Sequence, residues 1–72
     1  MDISWQKEFI KSQRFKLANE LLSIRVSHNL SIEEVSNILG ISELKLGQLE
    51  NGYVGIPIEE YELYIDKLRK FV

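Results

Sequence analysis

The stretch of residues 30–52 reads LSIEEVSNILGISELKLGQLENG and predicts two short helices joined by a tight turn. Ser31 is a favourable N-cap, and Glu34, three residues later, can return the hydrogen bond in a capping box. Gly40 can end the first helix, because a residue without a Cβ tolerates the left-handed conformation common at helix ends. Ser42 is a second N-cap, and the final glycine of the stretch is placed to end the second helix.

Apolar residues give each of these two helices one side to bury. Val35, Ile38 and Leu39 recur at helical spacing in the first helix, and Leu46 and Leu49 give the second a buried edge. Two helices joined by such a short turn form the helix-turn-helix arrangement. Isolated helices below about 12–15 residues are marginal in water, so we expect the rest of the chain to hold these two in place.

The motif resembles the DNA-binding domain of the lambda-repressor and Cro group (XRE-like proteins), whose usual pattern is L-S-Q-E-E-L-A-x-x-L-G-V-S-x-x-x-I-S-x-L-E-N-G. The positions that carry the resemblance are Leu30, Ser31, Glu33, Glu34, Val35, Ser36, Leu39, Gly40, Ile41, Ser42, Leu46, Leu49, Glu50, Asn51 and Gly52. The resemblance implies an all-α, lambda-repressor-like domain of four to five helices around the motif at 31–52. We divide the chain into an N-terminal helical extension over residues 1–16 and a helix-turn-helix domain over residues 17–72.

In this family the second helix of the motif enters the major groove and presents side chains to base edges. The resemblance therefore implies that helix 42–51 contacts DNA. The implied DNA-contacting residues are Ser31, Ser42, Glu43, Leu44, Lys45, Gly47, Gln48, Asn51 and Tyr53. Glutamine can pair with adenine, lysine can meet guanine or a phosphate, and leucine can touch a thymine methyl group. The resemblance also implies a structural hydrogen bond or ion pair for Glu50, and a helix–helix contact at the small residue Ser36.

Three apolar residues occupy motif positions that the resemblance places on or near the surface. Ile32 stands where the family commonly has glutamine, Ile38 stands where it often has a charged residue, and Leu44 belongs to the groove-facing set. Exposed apolar patches tend to mark protein contacts. Ile32, Ile38 and Leu44 are therefore candidates for a protein interface, and Trp5 and Phe9 of the N-terminal segment are further candidates.

The N-terminal segment, residues 3–28, contains neither proline nor glycine and has an apolar residue every seven positions. These residues are Ile3, Ile10, Leu17 and Ile24. The part before Leu17 can extend the domain's first helix or form a separate helix. Trp5 and Phe9 can pack back onto the domain as additional core or form a dimerisation surface, and both interpretations stay open.

Lys7, Lys11 and Arg14 share one face of the N-terminal segment, because residues three and four apart are neighbours on a helix. Such a stripe is either solvated surface or a set of auxiliary phosphate contacts.

Pro57 predicts a last helix beginning at or near Ile58, because proline is favourable in a first helical turn. The apolar surface for packing in that helix is expected to come from Leu63, Leu68 and Phe71, with Tyr61, Tyr64 and Ile65 near them.

The charge of the 72-residue chain is unevenly distributed around its net value of −2. Residues 1–30 carry five basic and three acidic residues, whereas residues 31–72 carry four basic and eight acidic ones. Phosphate contacts dominate DNA affinity, so the acidic motif half argues against tight binding by a lone monomer.

Composition excludes several classes of chemistry. The chain has no cysteine and one histidine, so the usual zinc sites cannot form. It has no apolar run near the roughly 20 residues that span a membrane, and no signal peptide opens it, so the cytoplasm is the expected compartment. No phosphate-binding glycine loop and no nucleophile beside a base are evident, so we expect no enzyme, no cofactor, no metal and no small-molecule substrate.

The sequence thus favours a small, sequence-specific, DNA-binding transcriptional regulator with double-stranded DNA as its partner. We expect a homodimer whose two recognition helices enter successive major grooves about 34 Å apart. The alternative is a protein–protein interaction module of the same fold, which uses an acidic and apolar face to bind a protein partner.

Overall fold

Four α-helices make up the part of the chain that the computed structural model describes, residues 4–72, with side chains described from Gln13 onward. The helices are α1 (Ser4–Ser27), α2 (Ile32–Leu39), α3 (Glu43–Glu50) and α4 (Ile58–Phe71). Helix α1 packs against α3 and α4, and α2 packs against the same two helices. These described residues contain no strand, so the predicted all-α class is confirmed.

Each of the first three helices is followed, one or two residues after its last residue, by a residue in the left-handed conformation. Asn29 has φ 54°, Gly40 has φ 71° and Gly52 has φ 70°. At each end, the amide of the following residue donates to a carbonyl five positions earlier, as in Tyr53 to Gln48 at 3.0 Å. These bonds satisfy carbonyls that a helix end leaves without a partner. The two glycine stops predicted from the sequence are confirmed.

The core lies where the four helices meet. Its buried members are Ala18, Leu21, Val35, Leu39, Leu46, Leu49, Ile56, Tyr61, Ile65 and Leu68. Every helix contributes at least one residue, so the short helices α2 and α3 are held by packing against the longer α1 and α4. The predicted burial of Leu46 and Leu49 is confirmed, since neither exposes any surface.

Helix α4 begins at Ile58, directly after Pro57, as predicted. Its inward face uses only part of the expected apolar set. Tyr61, Ile65 and Leu68 are buried at helical spacing, whereas Leu63 and Phe71 are exposed. Leu63 is two positions from both Tyr61 and Ile65, which places it on the opposite side of the helix, and Phe71 is the last helical residue.

Helix α1 runs without interruption through the predicted boundary between residues 16 and 17. Of the two arrangements that the sequence left open, a longer first helix and a separate one, the structure has the longer helix. At about 1.5 Å per residue its 24 residues span roughly 36 Å, which accounts for most of the 45 Å length of the molecule. The side chains of Trp5, Lys7, Phe9 and Lys11, and all of Ile3, lie outside the described residues.

Within the described residues, none of the helices combines the length and the apolar character needed to cross a membrane.

Candidate nucleic-acid interface

Helices α2 and α3 bury their facing sides against each other and the core. Val35, Ser36 and Leu39 are buried on α2, opposite the leucines of α3. The Ser36 hydroxyl donates to the Glu33 carbonyl at 2.9 Å, so a polar residue can be buried here without an unsatisfied group. Ser36 is buried, as expected for a small residue where the two helices touch.

Serine side chains cap both helices of the motif. The Ser31 hydroxyl accepts from the Glu34 amide at 3.0 Å, and the Glu34 carboxylate accepts from the Ser31 amide at 3.0 Å. The predicted capping box is therefore confirmed. The Ser42 hydroxyl accepts from the Lys45 amide at 3.0 Å. Both serines are exposed, and each hydroxyl can still donate one hydrogen bond outward.

The outer face of α3 borders an open groove of about 400 Å³. Its lining consists of Glu43, Leu44, Gly47, Gln48, Asn51 and Tyr53. The groove therefore brings together six of the nine residues that the sequence analysis assigned to DNA contact. We call it the α3 groove.

Gly47 is one of the residues that line the α3 groove. A Cβ built at this position would meet no atom within 4 Å, so the space above it is open. The Asn51 side-chain amide donates to the Gly47 carbonyl at 2.7 Å, which orients Asn51 at the end of α3. Leu44 is 75% exposed at the rim. At the other rim the Tyr53 ring lies against Gly55, where an added Cβ would come within 2.5 Å of ring atom Cε1.

Lys45 lies beside the α3 groove but does not line it. Its ammonium donates to Glu60 Oε1 at 3.1 Å and sits 5.6 Å from the centroid of the Tyr64 ring. Hydrogen bonding to Glu60 and Tyr64 raises the pKa of Lys45 above its ordinary value. The lysine is partly exposed, and its charge is directed toward α4.

Glu50 makes the structural ion pair that the resemblance implied. Arg25 Nε donates to Glu50 Oε2 at 2.7 Å, and Nη2 donates to Oε1 at 3.2 Å. The remaining nitrogen, Nη1, donates to the Leu30 carbonyl at 3.2 Å. One arginine of α1 thus fixes both the entrance to α2 and the end of α3, since a bidentate pair restrains position and orientation.

Arg14 is committed to the loop between α3 and α4. Its Nη1 donates to the carbonyls of Tyr53, at 3.1 Å, and Ile56, and its guanidinium carbon lies 6.0 Å from the Tyr61 ring centroid. The Phe15 ring covers Gly52, 3.3 Å from where a Cβ would stand. Two residues of the predicted extension therefore contact the body of the domain and hold the rim of the α3 groove.

The apolar residues proposed for a protein interface are placed differently from one another. Ile32 is 37% exposed, whereas Ile38 is partly buried and packs against the core. Trp5 and Phe9 lie outside the described side chains, as do Lys7 and Lys11.

Most described cations already have an intramolecular partner. Besides those above, Arg69 pairs with Glu20, Lys70 pairs with Asp66 at 3.1 Å, and Lys67 donates to the Leu39 carbonyl at 3.3 Å. Lys16 has no partner among the described residues. Glu43 stands exposed at the rim of the α3 groove, so the charge on this face is net negative.

Across residues whose side chains are described, no three metal-binding side chains gather in one place.

No protein-family model matches the sequence, and the comparisons with curated proteins and with solved structures found no significant match.

Proposed function

We propose that this chain is a small sequence-specific DNA-binding regulator of transcription that inserts α3 into the major groove of duplex DNA. The observation that carries the proposal is the division of α3 into two sides. Leu46 and Leu49 are fully buried on one side, while Leu44, Gly47 and Gln48 face the open α3 groove on the other. Major-groove recognition requires a short helix that packs against the domain on one side and is accessible to solvent on the other.

We propose that the chain binds DNA as a homodimer, because its acidic surface disfavours tight binding by one copy. A monomer with few unpaired cations gains little from phosphate neutralisation, so two copies on a two-fold symmetric site are needed for useful affinity. The proposed activity requires no catalytic residue, cofactor, small-molecule substrate or membrane, and we propose the cytoplasm as its compartment.

Selection of bound duplexes from a random pool at low salt tests the proposal. We expect enrichment of a two-fold symmetric site, with half-sites separated by about one helical turn. Affinity for that site should fall between about 50 and 200 mM salt, with a slope of about −0.9 per neutralised phosphate. Retention of no sequence at low salt would reject DNA recognition.

Gln48→Ala is the variant that tests the proposed face. It should weaken binding to the selected site by about 1–3 kcal/mol, because the amide can pair with a base edge. Asn19→Ala is the matched control, since Asn19 is an exposed amide on α1. Equal affinity of the two variants would place recognition elsewhere on the molecule.

A second candidate, the protein-interaction module, is favoured by the ion pairing on this face. Lys45 is paired with Glu60, Glu43 is exposed, and Leu44 is 75% exposed. An exposed leucine beside a carboxylate suits a basic, partly apolar protein surface. This function predicts no salt-dependent DNA binding at micromolar protein, and Glu43→Lys should then abolish binding of the partner without changing the fold.

A further inference from the structure

We propose that Glu60 is a positioning residue for recognition: it holds the Lys45 ammonium against α4, so that α3 reads DNA through amide and apolar groups. The inference rests on the proposed DNA-binding function and adds which chemistry of the helix is offered to the bases.

Two residues on one face of α4 hold the lysine. Glu60 and Tyr64 are four positions apart and therefore neighbours on the helix. The carboxylate accepts from Lys45 Nζ at 3.1 Å, and the ring centroid of Tyr64 lies 5.6 Å from the same atom. An ion pair and a cation–π contact thus act on one ammonium from adjacent positions.

This arrangement changes what the α3 groove can recognise. A free lysine at this position could donate to guanine O6 and N7 or to a phosphate. With Lys45 held at α4, the groove offers the Gln48 amide and the Leu44 side chain, while the Asn51 amide nitrogen already donates to the Gly47 carbonyl. Amides suit adenine and an apolar group suits the thymine methyl, so the face favours A·T pairs.

The ion pair favours the position of the Lys45 side chain beside α4 but does not fix it there. The side chains of Lys45 and Glu60 are 35% and 34% exposed, so water screens the pair. Loss of the Glu60 charge should therefore release the ammonium without unfolding the domain.

The test compares Glu60→Gln with Glu62→Gln, which removes the same charge from an exposed position of the same helix. Glu60→Gln should bind the selected site roughly twofold to fivefold more tightly than Glu62→Gln, the range measured for exposed ion pairs. Its salt slope should be steeper by about 0.9, the value for one additional phosphate contact. Duplexes selected by Glu60→Gln should also gain guanine relative to those selected by wild type.

The same pair in a Lys45→Gln background completes a double-mutant cycle. We expect the difference between the two glutamate variants to disappear there, because Glu60 acts through the lysine. NMR titration provides an independent readout: the pKa of Lys45 should fall in Glu60→Gln and stay raised in Glu62→Gln.

Equal affinity and salt slope for the two glutamate variants, or a difference that persists without Lys45, would overturn the inference while leaving DNA binding intact. Failure of wild-type protein to show any salt-dependent DNA binding would instead overturn the proposed function, and the inference with it.

Discussion

Tyr61 shows how one buried side chain joins packing to polar chemistry. Its ring exposes no surface in the core, and its hydroxyl donates to the Leu49 carbonyl at 2.7 Å. That carbonyl also accepts from the Gly52 amide at 3.1 Å, so it keeps a partner when the hydroxyl is removed. Burial raises the pKa of Tyr61, and the nearby Arg14 lowers it in part.

Tyr61→Phe should lower the free energy of unfolding by about 1 kcal/mol at neutral pH, the value of a typical hydrogen bond. The deficit should shrink above about pH 10, where tyrosine in the unfolded chain ionises. Because the pKa of Tyr61 is raised in the folded protein, wild type loses the extra stability as the pH rises from the unfolded toward the folded pKa. The phenylalanine variant has no hydroxyl at this position, so its stability does not change in this way. Urea unfolding followed by circular dichroism at both pH values measures the gap, and Tyr53→Phe is the exposed control. A gap that does not change with pH would contradict the assignment.

Single residues also mark the limit of prediction from sequence. The roles of Ser31, Ser42 and Glu50 were predicted, because the two caps depend on neighbours in sequence and the ion pair on a recognisable motif. The partners of Lys45 and Arg14 were not predicted. Each pairing depends on how segments far apart in sequence pack together, and no local sequence pattern encodes that packing.

At the scale of elements, two glycines of the motif have opposite relations to their helices. Gly40 ends α2 with φ 71°, whereas Gly47 lies inside α3 in ordinary helical geometry. Neither would meet an atom within 4 Å if a Cβ were added. The two glycines therefore differ in backbone conformation and not in the space available to a side chain.

Gly40→Ala should destabilise the domain by about 1–2 kcal/mol, because an L-residue is strained in the left-handed region. Gly47→Ala should stabilise it by about 0.8–1 kcal/mol through higher helix propensity. For a domain of this size, 1 kcal/mol corresponds to roughly 4–8 °C in melting temperature. Thermal unfolding of the two variants beside wild type measures both effects, and shifts of the same sign would contradict the backbone argument.

At the scale of the whole molecule, Arg14 connects the first helix to the loop before the last one. Its carbonyl partners lie 39 and 42 positions away in sequence. The all-helical class and the motif followed from local spacing and caps. The way in which the long α1 docks could not follow from them, because its heptad pattern fits both a packed and a dimerising helix.

Arg14→Met should lower the free energy of unfolding by about 1 kcal/mol, through loss of the hydrogen bonds to the loop. Amide exchange at Ile56, which donates to the Tyr53 carbonyl at 3.2 Å, should quicken as the loop loosens. Lys16→Met is the control, since Lys16 is an exposed cation on the same helix. Identical behaviour of the two variants would show that the Arg14 hydrogen bonds do not stabilise the loop.

The open space at Gly47 has an evolutionary consequence under the proposed function. Alanine there raises helix propensity, so a saturation library screened for cellular abundance should enrich replacements at this codon. The same library screened for promoter occupancy should lose the bulky replacements, because a large side chain fills the space into which a base pair would fit. For bulky side chains at position 47, these two selections would thus drive the gene in opposite directions.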